Sequence, residues 1–160
     1  MRPALALVAV ALAASPASAA EWGNITPGTT RMDAVRAQYG PPTRSQTQKV
    51  DNYDTTSWVY EGAQAPAGLT RLVVDFGILQ AEGFQRDVVR SFRLEPKPGV
   101  FTRGTVILGW GPPDRVGVQG EDEVYFYADG LVVMFGKEGR PAHTMLFTPP
   151  QPLEPATPSR

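Results

Sequence analysis

Residues able to do chemistry are few in this chain. It has no cysteine and a single histidine, His143, so thiol nucleophiles, disulfides and multi-histidine metal sites are all excluded. No serine sits in a Gly-x-Ser-x-Gly elbow. Hydrolysis would have to draw on two acidic runs, Asp51-Asn52-Tyr53-Asp54 and Glu121-Asp122-Glu123. Paired carboxylates can serve such a reaction or hold a hard cation such as calcium. Neither run has the glycine and terminal glutamate of an EF-hand loop. The second follows Gly120 and leads into Val124-Tyr125-Phe126-Tyr127, the pattern of a charged turn before an apolar strand. His143 falls in the last predicted strand, where a strand-face histidine is the simpler reading than a base. Arg36, Arg44, Arg86, Arg90, Arg93, Arg103 and Arg115 are scattered, with no Gly-rich phosphate loop among them. The net charge of −1 gives no basic footprint for nucleic acid. The chain therefore reads as non-enzymatic, without cofactor or metal, and a hydrolase using the acidic loops is a remote alternative.

The two ends have their own signatures. Arg2, the apolar stretch of residues 4–14 (ALALVAVALAA) and the small residues Ala17-Ser18-Ala19 form the pattern of a cleaved signal peptide. The apolar stretch is too short to span a bilayer. Cleavage is expected near Ala19, giving a periplasmic or secreted protein. No cysteine stands near that point, so no lipid anchor is expected there. Residues 149–160 (PPQPLEPATPSR) are proline-rich and poor in large apolar side chains, and they are expected to be disordered.

Between the ends the chain repeats itself. Pro27-Gly28 and Gly40-Pro41-Pro42 recur as Pro98-Gly99 and Gly111-Pro112-Pro113, 71 residues later in both places (98 − 27 and 111 − 40). Val35 matches Val106, Tyr39 matches Trp110 and Arg44 matches Arg115 at the same offset. Leu72-Val73-Val74-Asp75-Phe76-Gly77 returns as Leu131-Val132-Val133-Met134-Phe135-Gly136, at an offset shortened to 59 (131 − 72). Recurrence of several segments in one order indicates duplication. The division that follows is a signal peptide over 1–19, a first repeat over 20–96, a second over 97–148 and a tail over 149–160.

Each repeat should open with a helix. Thr30 and Asp33 resemble a capping box, Met32, Val35 and Tyr39 share a face, and Gly40 with Pro41-Pro42 stops the helix. In the second repeat Gly104 and Gly109 each cost about 1 kcal/mol relative to alanine in a helix interior, so that helix is expected to be short or distorted. Alternating strands follow each Gly-Pro-Pro.

The run Ile25-x-x-Gly28-Thr29, Val35-Arg36 and Gly40-Pro41-Pro42 resembles the signature of the SmpA/OmlA (BamE-like) family. Two such units in tandem also resemble the β-lactamase inhibitor protein architecture. The resemblance implies an α+β fold of two tandem BamE-like units, each a short helix (or helix pair) packed on a three-stranded antiparallel sheet, the two sharing or abutting one sheet. It implies a non-catalytic binding or assembly module with a protein partner in the cell envelope, in outer-membrane biogenesis and with peripheral association with the outer membrane open to it. The alternative is a secreted or periplasmic inhibitor of an enzyme.

Strand alternation suggests where such a partner would bind. With Leu72, Val74 and Phe76, and Leu131, Val133 and Phe135, turned to the helices, the opposite face carries Val73 and Asp75 in one repeat and Val132 and Met134 in the other. Aligning Phe92 with Leu146 as core turns Met145 and Phe147 outward. Val132, Met134, Met145 and Phe147, with Tyr125 or Tyr127 at the edge, are thus the expected partner-binding surface, apolar and adaptable.

Overall fold

The two Gly-Pro-Pro segments end two helices of equal length, α1 (Met32–Tyr39) and α2 (Arg103–Trp110), of 8 residues each. The structure, a computed structural model, describes residues 18–137 and 139–151. Most of the expected signal peptide and of the tail lies outside them. At the helix ends Gly40 (φ 75°) and Gly111 (φ 82°) take the left-handed region. Their N–H groups donate to the carbonyls of Arg36 at 2.9 Å and Ile107 at 2.8 Å, and the prolines that follow bar continuation.

The helix starts reverse the expectation. Thr30 does not cap α1, whose N-cap is Arg31 without a side-chain bond. Its Oγ1 instead accepts from Thr26 N at 2.9 Å and closes the preceding loop. The capping box belongs to α2, where Thr102 and Thr105 bond reciprocally. That cap, worth about 1 kcal/mol, offsets part of the cost of Gly104 and Gly109, and α2 forms at full length.

Eight strands follow: β1 (Arg44–Val50), β2 (Tyr53–Glu61), β3 (Leu69–Gln80), β4 (Gly83–Pro96), β5 (Arg115–Gln119), β6 (Asp122–Phe126), β7 (Leu131–Phe135) and β8 (Ala142–Phe147). They form one antiparallel sheet in the order β1-β2-β3-β4-β8-β7-β6-β5. The expectation of two helix-on-three-strand units is overturned: a single eight-stranded sheet carries both short helices. Each half contributes a fourth strand, β1 or β5. β1 (RSQTQKV) is exposed along nearly its whole length, so its sequence carries no apolar alternation to reveal it. The seam is the pairing of β4 with β8, in the register Phe92↔Phe147, Arg93↔Leu146 and Leu94↔Met145.

Both helices lie on one face of this sheet over one continuous core. Val35 and Val106 are buried at equivalent places, and Val74, Val133, Phe76, Phe92, Phe135 and Phe147 belong to the same cluster. Phe92 and Phe147 stack at 4.4 Å across the seam. Residues 20–25 strap the ends of both helices, a role that Ile25 in the family-like run did not reveal. Tyr39 Oη donates to Gly23 O at 2.8 Å and Trp110 Nε1 donates to Glu21 O at 3.2 Å. Ala20 N donates to Asp129 O at 3.0 Å. The first tail residues are also held, since Gln151 N donates to Ala128 O at 3.0 Å.

A second pair of equivalent bonds ties each helix end to the sheet. Tyr60 Oη donates to Gly40 O and Tyr127 Oη donates to Gly111 O, each at 3.0 Å. Burial pushes both phenols up to about 12. For Tyr60 the Arg36 charge works against that rise, and for Tyr127 the neighbouring Tyr125, Asp129 and Asp114 add to it. The folded protein keeps protons that the unfolded chain releases near pH 10. The stabilisation is thus whole below about pH 10 and is lost as pH rises through about 12. Thermal midpoints should therefore fall steeply over that window. A Tyr60→Phe/Tyr127→Phe variant should be less stable at neutral pH, by about 1 kcal/mol per lost bond, but flatter in its alkaline decline. Equal alkaline slopes in the two proteins would show that these phenols are not the cause.

Candidate functional site

With both helices on one face, the other face of the sheet is open among the described residues. Directly paired residues of an antiparallel ladder share a face, so the registers define a row across all eight strands. It runs Arg44, Val59, Val73, Arg93, Leu146, Val132, Phe126, Arg115. The two arginines at its ends are the pair at offset 71 noted in the sequence.

The two halves of this face differ in chemistry. In the first half, polar groups satisfy one another. Ser57 and Ser91 both donate to the Asp75 carboxylate, at 2.6 and 3.3 Å. Glu61 pairs with Arg44 at 3.0 Å and Arg71 at 3.1 Å, and Glu95 with Arg71 at 3.5 Å and Arg93 at 3.6 Å. In the second half the same positions carry Phe126, Val132, Met134 and Leu146, all half-buried, over a buried Val124. The Arg115 guanidinium lies 4.6 Å from the Phe126 ring centre, adding a cation–π contact at the rim. The face thus passes from a crosslinked ionic lattice to a contiguous apolar patch.

Two of the sequence-predicted surface residues, Val132 and Met134, stand on this patch. The other four do not. Met145 and Phe147 are fully buried, and Tyr125 and Tyr127 are 9% and 4% exposed. All four face the helices. For Met145 and Phe147 the cause is a one-residue phase error in β8: Phe147, not Leu146, lies opposite Phe92, and such a slip exchanges the faces of every side chain in a strand. Tyr125 turns inward because it pairs with the buried Val133, and Tyr127 joins the same core cluster. Leu146 takes the outward place, with Phe126 and Val124 beside it. The signal for these was the alternation of β6 read together with that of β7.

The groups weighed for chemistry do not converge. Asp51 (φ 48°) and Asn52 (φ 70°) are the tight turn between β1 and β2. Asp54 is 3.9 Å from Arg86, Glu121 pairs with Lys137 at 2.9 Å, and Glu123 pairs with Arg103 at 2.8 Å. His143 Nε2 meets Asp122 Oδ2 at 2.9 Å and its Nδ1 meets Thr144 Oγ1 at 2.9 Å, linking β8 to the start of β6. Each acidic side chain named here with a cation faces its own partner rather than a second carboxylate. Among the described residues no group of three His, Cys, Asp or Glu side chains could hold a metal ion. Arg103, which looked like one more surface arginine, is instead packed 4.6 Å from the Phe135 ring centre and donates to Arg140 O at 2.7 Å.

Fold and face together define a single eight-stranded antiparallel sheet with two short helices on one side and, among the described residues, an open and chemically divided outer surface. No family model matches the chain, and no curated protein matches it. Among solved structures it is similar to the crystal structure of a DUF4309 family protein (YjgB) from Bacillus subtilis subsp. subtilis str. 168. Identity is 17%, the TM-score is 0.48, and the match covers 79% of this chain and 83% of that one.

Proposed function

We propose that this chain is an exported, non-catalytic binding module that engages a protein partner in the cell envelope through the apolar half of its outer sheet face. The observation that carries the reading is the contrast between halves. Where the first repeat satisfies its outward polar groups internally, the second presents Phe126, Val132, Met134 and Leu146 half-exposed and contiguous. Such patches on soluble proteins mark interaction surfaces, and aromatic and methionine side chains suit them. Export rests on the signal-peptide pattern of residues 1–19. The resemblance of the Ile25 to Pro42 run to SmpA/OmlA proteins points to the same class of role.

The test is position-specific crosslinking in the producing cell. A photoreactive residue at Met134 or Leu146 should give discrete higher-mass adducts with a second protein. The same residue at Ser57 or Ser91, on the polar half, should not. Adducts of equal yield at all four positions, or at none, would defeat the proposal. The identity of the captured protein separates an assembly role from inhibition of an enzyme.

A further inference from the structure

The sheet has two outer strands, and they are protected unequally. β1 carries Arg44 and Lys49 with Ser, Gln and Thr between them, the charged and polar composition that discourages edge-to-edge pairing. β5 (RVGVQ) has Val116-Gly117-Val118 at its centre and pairs with β6 without a bulge. Val116 and Val118 are 54% and 78% exposed. Opposite Tyr125 and Glu123 in the ladder, they share the helix-bearing face, where α2 also exposes Ile107 and Leu108. Ladder bonds alternate in direction along a strand. Every second residue of β5 therefore turns its N–H and C=O away from β6, and no other described strand meets them.

We propose that β5 is the seam of a homodimer, in which two copies pair antiparallel about a two-fold axis at Gly117. The strand is suited to a second copy of itself because Val-Gly-Val reads the same in both directions. The two-fold places Val116 of each copy opposite Val118 of the other, giving two β-branched pairs on the helix face. The charges also match. Arg115 begins the strand, and the turn that follows it carries Glu121, whose side chain stays 74% exposed in its surface pair with Lys137. Antiparallel pairing sets the basic start of each strand beside the acidic turn of the other. Gly117 has a use at the axis. A Cβ there would lie 3.1 Å from Phe126 Cε2, so the absent side chain lets the Phe126 ring lie against the edge strand on the outer face.

The absence of native cysteine makes the register directly testable. The purified full chain should run at twice the chain mass by light scattering at high concentration, and Val116→Lys/Val118→Lys should be monomeric with an unchanged circular dichroism spectrum. Val116→Cys protein mixed with Val118→Cys protein should form a disulfide-linked dimer under mild oxidation. Either variant alone should crosslink several-fold less, since each thiol then faces a valine. Monomeric wild-type protein at its highest soluble concentration would overturn the proposal. So would a dimer that survives the lysine substitutions, or crosslinking no greater in the mixture than in the separate samples.

Discussion

Phe147→Ala should cost about 3–5 kcal/mol of folding stability, as expected for removal of a fully buried aromatic ring. Phe147 is fully buried, stacked on Phe92 at 4.4 Å and set against Trp110 at 5.9 Å. It thereby joins three parts of the molecule: β4 of the first half, β8 of the second and the end of α2. The seam between halves has three paired positions, so one lost ring is a large share of what holds them together. Chemical denaturation should show a lower midpoint. If the halves come apart, it should also show a smaller slope or a second transition. Leu146→Ala, one residue away on the outer face, should cost less than about 1.5 kcal/mol, because its side chain is already partly in water. Phe147→Ala within about 0.5 kcal/mol of wild type would mean that β8 presents its other face.

That pair of neighbours shows where sequence reading stops. The two helix ends were legible because their marks are local. Gly40-Pro41-Pro42 and Gly111-Pro112-Pro113 encode helix ends through glycine's left-handed conformation and proline's missing N–H, and each did so in the structure. The faces of β3 and β7 were legible too, since Leu72, Val74 and Phe76, and Leu131, Val133 and Phe135, alternate with residues of the other face. β8 offers no such contrast. Met145, Leu146 and Phe147 are three apolar residues in a row, and a period of two cannot choose a phase in a run without polar punctuation. Pairing with β4 makes the choice, and that contact lies about fifty residues away in sequence. Of the six residues expected on that surface, Val132 and Met134 lie on the outer face, whereas Met145, Phe147, Tyr125 and Tyr127 face the helices.

Other failures have the same origin in non-local contacts. β1 was invisible because an edge strand wet on both faces needs no apolar pattern. The strap of residues 20–25 was invisible because its bonds come from Tyr39 and Trp110, whose equivalence in the repeat suggested only packing. Thr30 looked like a cap because the local rule fitted, but its hydroxyl is already engaged by Thr26. The single sheet itself follows from β4 meeting β8, the step that no segment of either repeat encodes alone. If β5 also joins a second copy, the two apolar outer halves become neighbours across the axis, with a Phe126 ring from each copy beside it. The proposed partner would then meet a surface twice as wide as one chain provides.

The chain just after β8 is anchored at Gly130, and Gly130→Ala is the second large effect expected. Gly130 adopts φ 99° between β6 and β7, a conformation that costs an alanine about 1–2 kcal/mol. A Cβ there would also overlap the Thr148 carbonyl oxygen and lie 2.7 Å from Pro149 O. These are backbone atoms that cannot rotate aside. They are held close because Thr148 N donates to Gly130 O at 3.0 Å and Thr148 Oγ1 to the same oxygen at 3.2 Å. The substitution should therefore cost about 3 kcal/mol or more, strain and lost bonds together. Gly83→Ala, at φ 111° with nothing within 4 Å of its Cβ, should show the conformational part alone, about 1–2 kcal/mol. Hydrogen exchange should separate the two causes. In Gly130→Ala the amides of Thr148 and Gln151 should lose protection ahead of global unfolding, because the chain after Phe147 is no longer anchored to the turn. Equal costs for the two alanine substitutions, with unchanged protection at Thr148, would show that the close approach at Gly130 holds nothing in place.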